Sequence, residues 1–236
     1  MVTGDFTAIG ATNVTSITAS QLGIISGKLD LEGVILLTTL QMDNLTNVGS
    51  IIFEALPNLQ ALTFTKNVNK IGSLSITNTG LTSLQGINVT ECGTFDLTAN
   101  NALTEVNVGA LTNLTGLLTL SNNSPKLNVT FSELVGGVNM TFRNIGTVNV
   151  PYLETLSGQL ALVSTIVSSF TAPNLTHAGD LSIDANTALT NVFFPQLTSL
   201  SGGLLITNNS KLLNISGFPK LQTVSGAVDI TGDYTR

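Results

Sequence analysis

Ten asparagines of this chain begin the tripeptide Asn-X-Ser/Thr, the acceptor sequence for N-linked glycans. They are Asn13, Asn44, Asn88, Asn113, Asn122, Asn128, Asn139, Asn174, Asn208 and Asn214. Their number is a modest excess over chance, and a polar-faced strand with outward Asn and Thr around an inward apolar residue produces the same pattern. Because that geometry also exposes the asparagine, we expect several to carry glycans if the chain is secreted.

Asp180 and Asp184 are the carboxylates that come nearest to an acid–base pair. Glycosidases place two carboxyl groups about 5–10 Å apart in a sugar cleft, and these two flank one short apolar stretch. No Arg, Lys or aromatic residue stands beside them, and Tyr152 and Tyr234 are the only tyrosines that could form a sugar platform. We therefore expect no catalytic residues and no enzymatic activity.

His177 and Cys92 are the only histidine and the only cysteine. A lone histidine cannot complete a metal site or a Ser-His-Asp triad without partners, and no motif supplies them. Cys92 precedes a glycine, and we expect a small buried side chain, with pairing to a cysteine outside this chain as the alternative. The sequence thus predicts no metal, no cofactor and no internal disulfide.

The composition excludes two classes of partner. Net charge is −6, and the eight lysines and arginines are scattered, whereas a nucleic-acid groove needs a clustered basic face. Apolar residues make up 42% and mean hydropathy is +0.39, but no apolar run approaches the roughly 18 residues of a membrane-spanning helix. Charged residues are only 9%, so surface polarity must come from Asn, Thr and Ser. We expect neither nucleic-acid binding nor a transmembrane helix.

A repeat of roughly 22 residues runs along the whole chain. Apolar residues alternate in pairs such as Leu29/Leu31 and Leu181/Ile183, and a glycine stands two residues before each pair. These glycines are Gly4, Gly27, Gly49, Gly72, Gly93, Gly116, Gly136, Gly158, Gly179, Gly202 and Gly226. Each coil must turn a corner before its strand, where glycine tolerates a positive φ or a close backbone approach.

Three apolar clusters in each repeat predict three short strands and therefore three faces. An Asn-rich turn follows the first cluster, where asparagines can hydrogen-bond from coil to coil. Its members are Asn78, Asn100, Asn122, Asn144, Asn186 and Asn208. Leucine-rich repeats have similar lengths, but their second half is usually helical, and here it stays rich in Val, Thr and Phe. The predicted fold is all-β: a parallel β-helix, or leucine-rich-repeat-like solenoid, of about eleven coils with few or no helices.

The outward position between the paired apolar residues carries no repeating residue type. Along the chain it reads Asp30, Ile52, Ser75, Asp96, Thr119, Asn139, Ala161, Ser182, Leu205 and Asp229. A row of threonines would indicate ice binding and a recurring carboxylate would favour catalysis. Neither recurs, so the predicted fold alone indicates no chemistry.

The ordered repeats resemble a known family. The segments that carry the resemblance are Val138-Asn139-Met140-Thr141-Phe142-Arg143-Asn144, Val148-Asn149-Val150-Pro151-Tyr152-Leu153, Phe170-Thr171-Ala172-Pro173-Asn174-Leu175-Thr176, Ile215-Ser216-Gly217-Phe218-Pro219-Lys220-Leu221 and Leu56-Pro57-Asn58-Leu59-Gln60-Ala61-Leu62-Thr63-Phe64. They are similar to the fungal GPI-anchored cell-wall organisation proteins of the extracellular-mutant and sporulation-specific type, whose repeats are related to receptor L-domains. The resemblance covers nearly the whole chain.

The resemblance implies secretion, N-glycosylation, a lipid anchor and a non-enzymatic role in cell-wall organisation and integrity at the cell surface. Residues 1–236 are then one receptor L-domain-like solenoid, expected to lack the family's N-terminal cap and C-terminal anchor region, so a membrane would be reached only through an anchor outside this chain. Cell-wall glycans or wall proteins are the expected partners. The alternatives are a ligand- or glycan-binding surface module and, less favoured, a polysaccharide-active β-helix enzyme.

Overall fold

The chain winds into a single all-β solenoid. The computed structural model describes residues 1–106 and 108–234, and within those ranges it contains twenty-five strands and no helix. The strands lie on three faces, here called faces A, B and C in the order in which the chain visits them. The predicted three-faced parallel solenoid is confirmed.

Face A is an eleven-stranded sheet in which each strand pairs in parallel with the strand of the next coil. Its strands are Phe6–Ile9, Ile24–Glu32, Asn47–Leu56, Lys70–Thr79, Thr94–Thr98, Leu117–Ser121, Asn139–Arg143, Leu160–Val163, Leu181–Asp184, Leu204–Thr207 and Val228–Ile230. The register places Leu29 beside Ile51 and Leu31 beside Phe53, so the paired apolar residues of successive coils stack inward.

Faces B and C carry shorter strands, also parallel from coil to coil. Those of face B are Ser16–Thr18, Thr39–Gln41, Leu62–Thr63, Asn128–Thr130, Thr147–Asn149, Ser169–Thr171 and Asn191–Phe193. Those of face C are Glu91–Cys92, Asn113–Leu114, Gly136–Gly137, Thr155–Leu156, His177–Ala178, Ser199–Leu200 and Thr223–Val224. In the second, third and fourth coils, one long strand runs from face C through the corner into face A.

The core is a stack of aliphatic and phenylalanine side chains along the axis. Inward residues of the central coils are almost fully buried, whereas those of the first and last coils are only partly buried. Phe170, Phe194 and Phe218 form a column in which neighbouring ring centroids lie 5.7 and 5.2 Å apart. Each coil thus buries its apolar residues chiefly against its two neighbours, as repeat proteins do.

The corner glycines are required by close backbone approach. A Cβ at Gly72 would lie 2.8 Å from the carbonyl oxygen of Gly49, and a Cβ at Gly93 would lie 2.8 Å from that of Gly72. Positive φ is not the cause, because among the described glycines only Gly10, Gly33 and Gly86 have it. Glycine is therefore needed at these corners because successive coils crowd each other, and not because the backbone has a positive φ.

One member of the predicted row is wrong. Gly136 lies on face C, where it pairs with Asn113 and Thr155. Val138 takes its place at the corner, since the N–H of Gly158 donates to the carbonyl oxygen of Val138 (2.9 Å). The shift arises from the shortest predicted spacing, 20 residues, between Gly116 and Gly136.

The inward pair of that coil shifts with the corner. Met140 and Phe142 are the buried pair, not Val138 and Met140, and they lie in register with Leu118 and Leu120. Consequently Thr141, not Asn139, occupies the outward position in the face A row.

The Asn-rich turn contains two different positions. In the first, directly after the face A strand, the backbone is left-handed. Its non-glycine members are Ala55, Asn78, Ala99, Asn122, Asn144, Ser164, Ala185 and Asn208. Asparagine is favoured there because its side chain tolerates positive φ better than most. The four asparagines at this position are exposed. Besides turning the chain, Asn144 donates to Oδ1 of Asn122, and Asn208 donates to Oδ1 of Asp184.

The second position is the next residue, and it is buried. Asn186 accepts hydrogen bonds at Oδ1 from the Thr165 N–H (2.8 Å) and hydroxyl (2.7 Å), and its own N–H donates to Oδ1 of Asn209 (2.9 Å). Thr79, Asn100 and Asn123 repeat this arrangement. Coil-to-coil bonding by asparagine is therefore confirmed, in two ladders of three coils separated by buried Ile145.

Replacing Asn186 by Ala should destabilise the protein by about 3 kcal/mol, because the substitution leaves two buried donors of Thr165 and the buried Leu162 carbonyl without partners. The free energy of unfolding from urea titration measures this loss. Asn174→Ala is the matched control, since exposed Asn174 makes one bond, to the Pro151 carbonyl. It should cost less than about 1 kcal/mol, and equal losses in the two variants would contradict the ladder's role.

Candidate functional site

All ten acceptor asparagines lie in described ranges, and none is buried. Seven are exposed, and Asn44, Asn88 and Asn139 are half-buried. The exposed ones are Asn13, Asn113, Asn122, Asn128, Asn174, Asn208 and Asn214. They are distributed over turns and strands on different sides of the solenoid, so glycans on them would decorate the rod and would not form one site.

Some of these asparagines use their side-chain amides in hydrogen bonds within the chain, and others do not. Asn174 donates its Nδ2 hydrogen to the Pro151 carbonyl (2.8 Å), and Asn208 donates to Oδ1 of Asp184 (2.9 Å). Others make no side-chain hydrogen bond to any described residue, namely Asn13, Asn44, Asn88, Asn113 and Asn128. These five have the nitrogen that would carry the sugar free, and their glycosylation stays a prediction.

Asp180 and Asp184 are both occupied in holding coils together. Oδ1 of Asp180 accepts from the Gly203 N–H (2.6 Å), and Oδ1 of Asp184 accepts from the Thr207 hydroxyl (2.6 Å). About four residues of extended chain, roughly 13 Å, separate their backbones, and each carboxylate is held by a different partner in the next coil. The hydrogen bonds from Thr207 and then Asn208 lower the pKa of the Asp184 carboxyl, which is the wrong direction for a general acid.

His177 and Cys92 each form contacts within the solenoid that suit a structural role. Nδ1 of half-buried His177 lies 2.8 Å from the Ser199 hydroxyl in the next coil, with no carboxylate among its hydrogen-bond partners. Cys92 is a free, buried thiol, 2% exposed, whose Sγ donates to the Thr94 carbonyl (2.9 Å). Burial raises the pKa of the Cys92 thiol to about 11, so the nucleophilic thiolate is suppressed.

The described residues offer neither a metal-binding cluster nor a membrane-spanning helix. No three or more His, Cys, Asp or Glu side chains are grouped so that they could hold a metal ion in ranges 1–106 and 108–234. In the same ranges no helix is long and apolar enough to cross a membrane.

A pair of carboxyl groups on face A escaped the sequence reasoning. Asp30 occupies an outward position yet is only 8% exposed, and its Oδ1 is the one buried side-chain oxygen or nitrogen in the described chain with no hydrogen-bond partner. The negative charge of Asp30 raises the pKa of the neighbouring Glu32 carboxyl, and Glu54, in register with Glu32, adds to the effect. Lys28 opposes it. The proximity of these carboxylates therefore favours the protonated form of Glu32.

A furrow along the corner between faces C and A was also missed. One depression of about 550 Å³ spans residues Asn69 to Thr115, and a second, of about 260 Å³, spans residues Ile24 to Gly72. They share Lys70 and Gly72, and together they form what is here called the glycine furrow. Its floor is the backbone at the corner glycines Gly49, Gly72 and Gly93, which have no side chains. The furrow depends on the three-dimensional path of the chain at the corner, so the sequence pattern did not predict it.

Comparison with known proteins identifies the family. The chain is 45% identical over 233 residues to Protein ecm33 of Aspergillus fumigatus, which covers 99% of this chain and 58% of that protein. It is 42% identical to a cell surface GPI-anchored protein of Arthroderma benhamiae, covering 99% of this chain and 60% of that one. The chain belongs to the Ecm33-type family of fungal cell-surface proteins. The family resemblance inferred from the repeats is confirmed.

More distant members agree. Cell wall protein ecm33 of Schizosaccharomyces pombe is 30% identical over 84% of this chain, which corresponds to 45% of that relative. Two of these three names describe a cell-surface and a cell-wall protein, and none of the three names an enzyme. The chain spans about three fifths of the length of the two relatives named first. No family model matches the chain, and no solved structure matches it significantly.

The Glu32 carboxyl should make stability depend on pH. Because its pKa is raised in the folded state, the stabilisation from its proton is fully present below the unfolded pKa and is lost as pH rises through the folded value. Glu32→Gln should therefore be more stable than the parent at pH 7 and lose this advantage toward pH 4. Melting temperatures across this range test it, with exposed Glu133→Gln as the control. A constant difference between Glu32→Gln and the parent would contradict the raised pKa of Glu32.

Cys92 should react slowly until the pH is high. At pH 8 the raised pKa leaves roughly 100-fold less thiolate than in an unperturbed thiol, so alkylation by iodoacetamide should be at least that much slower in the native protein than in urea. The rate–pH profile should rise toward about pH 11 natively and near the ordinary cysteine value in urea. Equal native and denatured rates would show that the thiol is accessible and unperturbed.

Proposed function

We propose that this chain is the solenoid region of a fungal cell-surface glycoprotein that contributes to cell-wall organisation and integrity without catalysis. The observation that carries the proposal is the 45% identity over nearly the whole chain to Protein ecm33 of Aspergillus fumigatus. Other relatives are named as a cell wall protein and as cell wall mannoproteins. A wall or surface location follows as the place where such a protein acts.

The geometry supports a structural role. Ten steps between coils at about 4.8 Å give a rod roughly 50 Å long. Polar side chains that could serve catalysis are instead bonded between coils, as with Asp180, Asp184 and His177. The rod presents Asn, Thr and Ser with few charges, a surface suited to a hydrated, sugar-rich matrix.

Attachment and decoration belong to the same proposal. A relative is named a cell surface GPI-anchored protein, and we extend lipid anchoring to this protein. N-glycans on several acceptor asparagines are supported by the exposure of seven of them. That residues 1–236 behave as one domain stays a prediction.

The proposal is tested by locating the full-length protein in its native fungus. Cell fractionation should recover it with the wall and surface material, and glycosidase treatment should lower its mass. Recovery only from cytosol, without glycans, would overturn the proposal.

Single substitutions should then assign the glycans. Asn113→Gln and Asn128→Gln should each lower the mass by one glycan, because both amides are exposed and free. Asn58→Gln is the control, since Asn58 is exposed but lies outside an acceptor sequence. Mass spectrometry that finds every acceptor asparagine unmodified in surface material would reject glycosylation and leave the structural role standing.

A second candidate function is a binding module. The glycine furrow is the observation that favours it, because its two depressions adjoin at Lys70 and Gly72. Three further depressions of about 410, 420 and 360 Å³ share no lining residue with one another.

A further inference from the structure

The glycine furrow crosses five successive coils. These are the second to the sixth coil of the solenoid. Four of them contribute residues at one corresponding position, Ile24, Asn47, Lys70 and Glu91, and the fifth contributes Thr115 at the end of the furrow. Four steps between coils give a length of about 19 Å. The furrow therefore runs along the solenoid axis, perpendicular to the strands, and suits a linear polymer lying lengthwise.

The side chains along the furrow offer hydrogen bonds and no net charge. Asn69, Lys70, Thr90, Glu91 and Thr115 are all exposed. Lys70 and Glu91 carry opposite charges in neighbouring coils, so neither a polyanion nor a polycation is favoured. Apart from the partly exposed Ile24, the rims present no large apolar or aromatic side chain, which argues against an apolar peptide.

These side chains are free, unlike their counterparts further along face C. Asn47, Asn69, Lys70, Glu91 and Thr115 make no side-chain hydrogen bond to any described residue. In the C-terminal coils the corresponding side of the rod is engaged internally. His177 lies 2.8 Å from Ser199, and the Thr176 and Thr198 hydroxyls donate to carbonyls of the preceding coil. Side chains whose hydrogen-bonding groups are not used within the described chain therefore line the furrow in four successive coils.

The floor of the furrow excludes one alternative occupant. An added peptide strand binds through free backbone N–H and C=O groups, but the Gly93 N–H already donates to the Gly72 carbonyl (2.8 Å), and the Thr115 N–H donates to the Cys92 carbonyl (3.0 Å). With this backbone paired, recognition must come from side chains. Gly49, Gly72 and Gly93 carry no side chains, so the floor at these positions is backbone.

We propose that the glycine furrow binds a linear, neutral β-linked glycan chain, with Asn69 and Lys70 as central hydrogen-bond donors to its hydroxyl groups. The inference deepens the proposed function by naming the wall component that the rod contacts, and it rests on that function for the choice of a wall glycan. Without aromatic stacking each sugar contributes little, so affinity must build up over several sugars.

The test is calorimetric titration of the protein, produced without glycans, with β-1,3-glucan and chitin oligosaccharides of increasing length. Affinity should rise with length and level off once the chain spans the furrow. Whichever series binds identifies the source of the glycan. Asn69→Ala combined with Lys70→Ala should weaken binding at least tenfold, since both donors are lost. No saturable binding by either series would overturn the inference.

Asn128→Ala combined with Lys126→Ala is the matched control, because it removes the same two residue types from exposed positions outside the furrow, with Asn128 on face B. Its affinity should equal that of the parent. Equal weakening in both double variants, or none in the furrow variant, would place binding elsewhere and overturn the inference. Melting curves check that both variants fold. The wall role is judged separately, from where the native protein fractionates. If the native protein fractionates with the wall, that role stands even when the parent or the furrow variant binds no glycan.

Discussion

Parallel hydrogen bonding between successive coils is the interaction on which the rest of this molecule depends. It fixes the distance between coils at about 4.8 Å, and at most corners between faces C and A, with Val138 as an exception, this leaves no room for a side chain. The Cβ that Gly72 lacks would lie 2.8 Å from the Gly49 carbonyl oxygen. The repeated glycine is therefore the sequence's response to a fixed spacing, and the furrow is a by-product of the same constraint.

The same spacing explains why so many polar residues have structural roles. A donor on one coil meets an acceptor on the next at hydrogen-bond distance, so side chains at equivalent positions bond readily. Buried Asn100 and Asn186 use this to satisfy polar groups inside the rod, and Asp180 and Asp184 use it on the surface. Side chains whose types alone suggest catalysis therefore form hydrogen bonds between coils. A relative of the chain is named a cell wall protein.

The features that depend on the repeat period were predicted from the sequence. The features that depend on a shift of one or two residues in register were not. Eleven coils, three faces and the inward pairs follow from spacing, but Gly136 was misplaced because Val138, two residues later, occupies the corner. Asn122 and Asn123 look alike in sequence, yet one turns the chain on the surface and the other is buried in a ladder. The burial of Asp30 and the depth of the furrow depend on how neighbouring coils lie against each other, which no residue pattern records.

Ile145 stands between the two asparagine ladders and has a mechanical consequence. Coils of a solenoid bear tension along the axis in series, so the rod extends first at the junction with the weakest lateral bonding. The ladders reinforce the junctions at Thr79–Asn123 and at Thr165–Asn209 with side-chain bonds, whereas the coil at Ile145 relies on apolar contact in this column. Under axial tension the load at Ile145 would therefore pass from the buried ladder to exposed side-chain bonds, from Asn144 to Oδ1 of Asn122 and from Asn149 to the Thr130 hydroxyl.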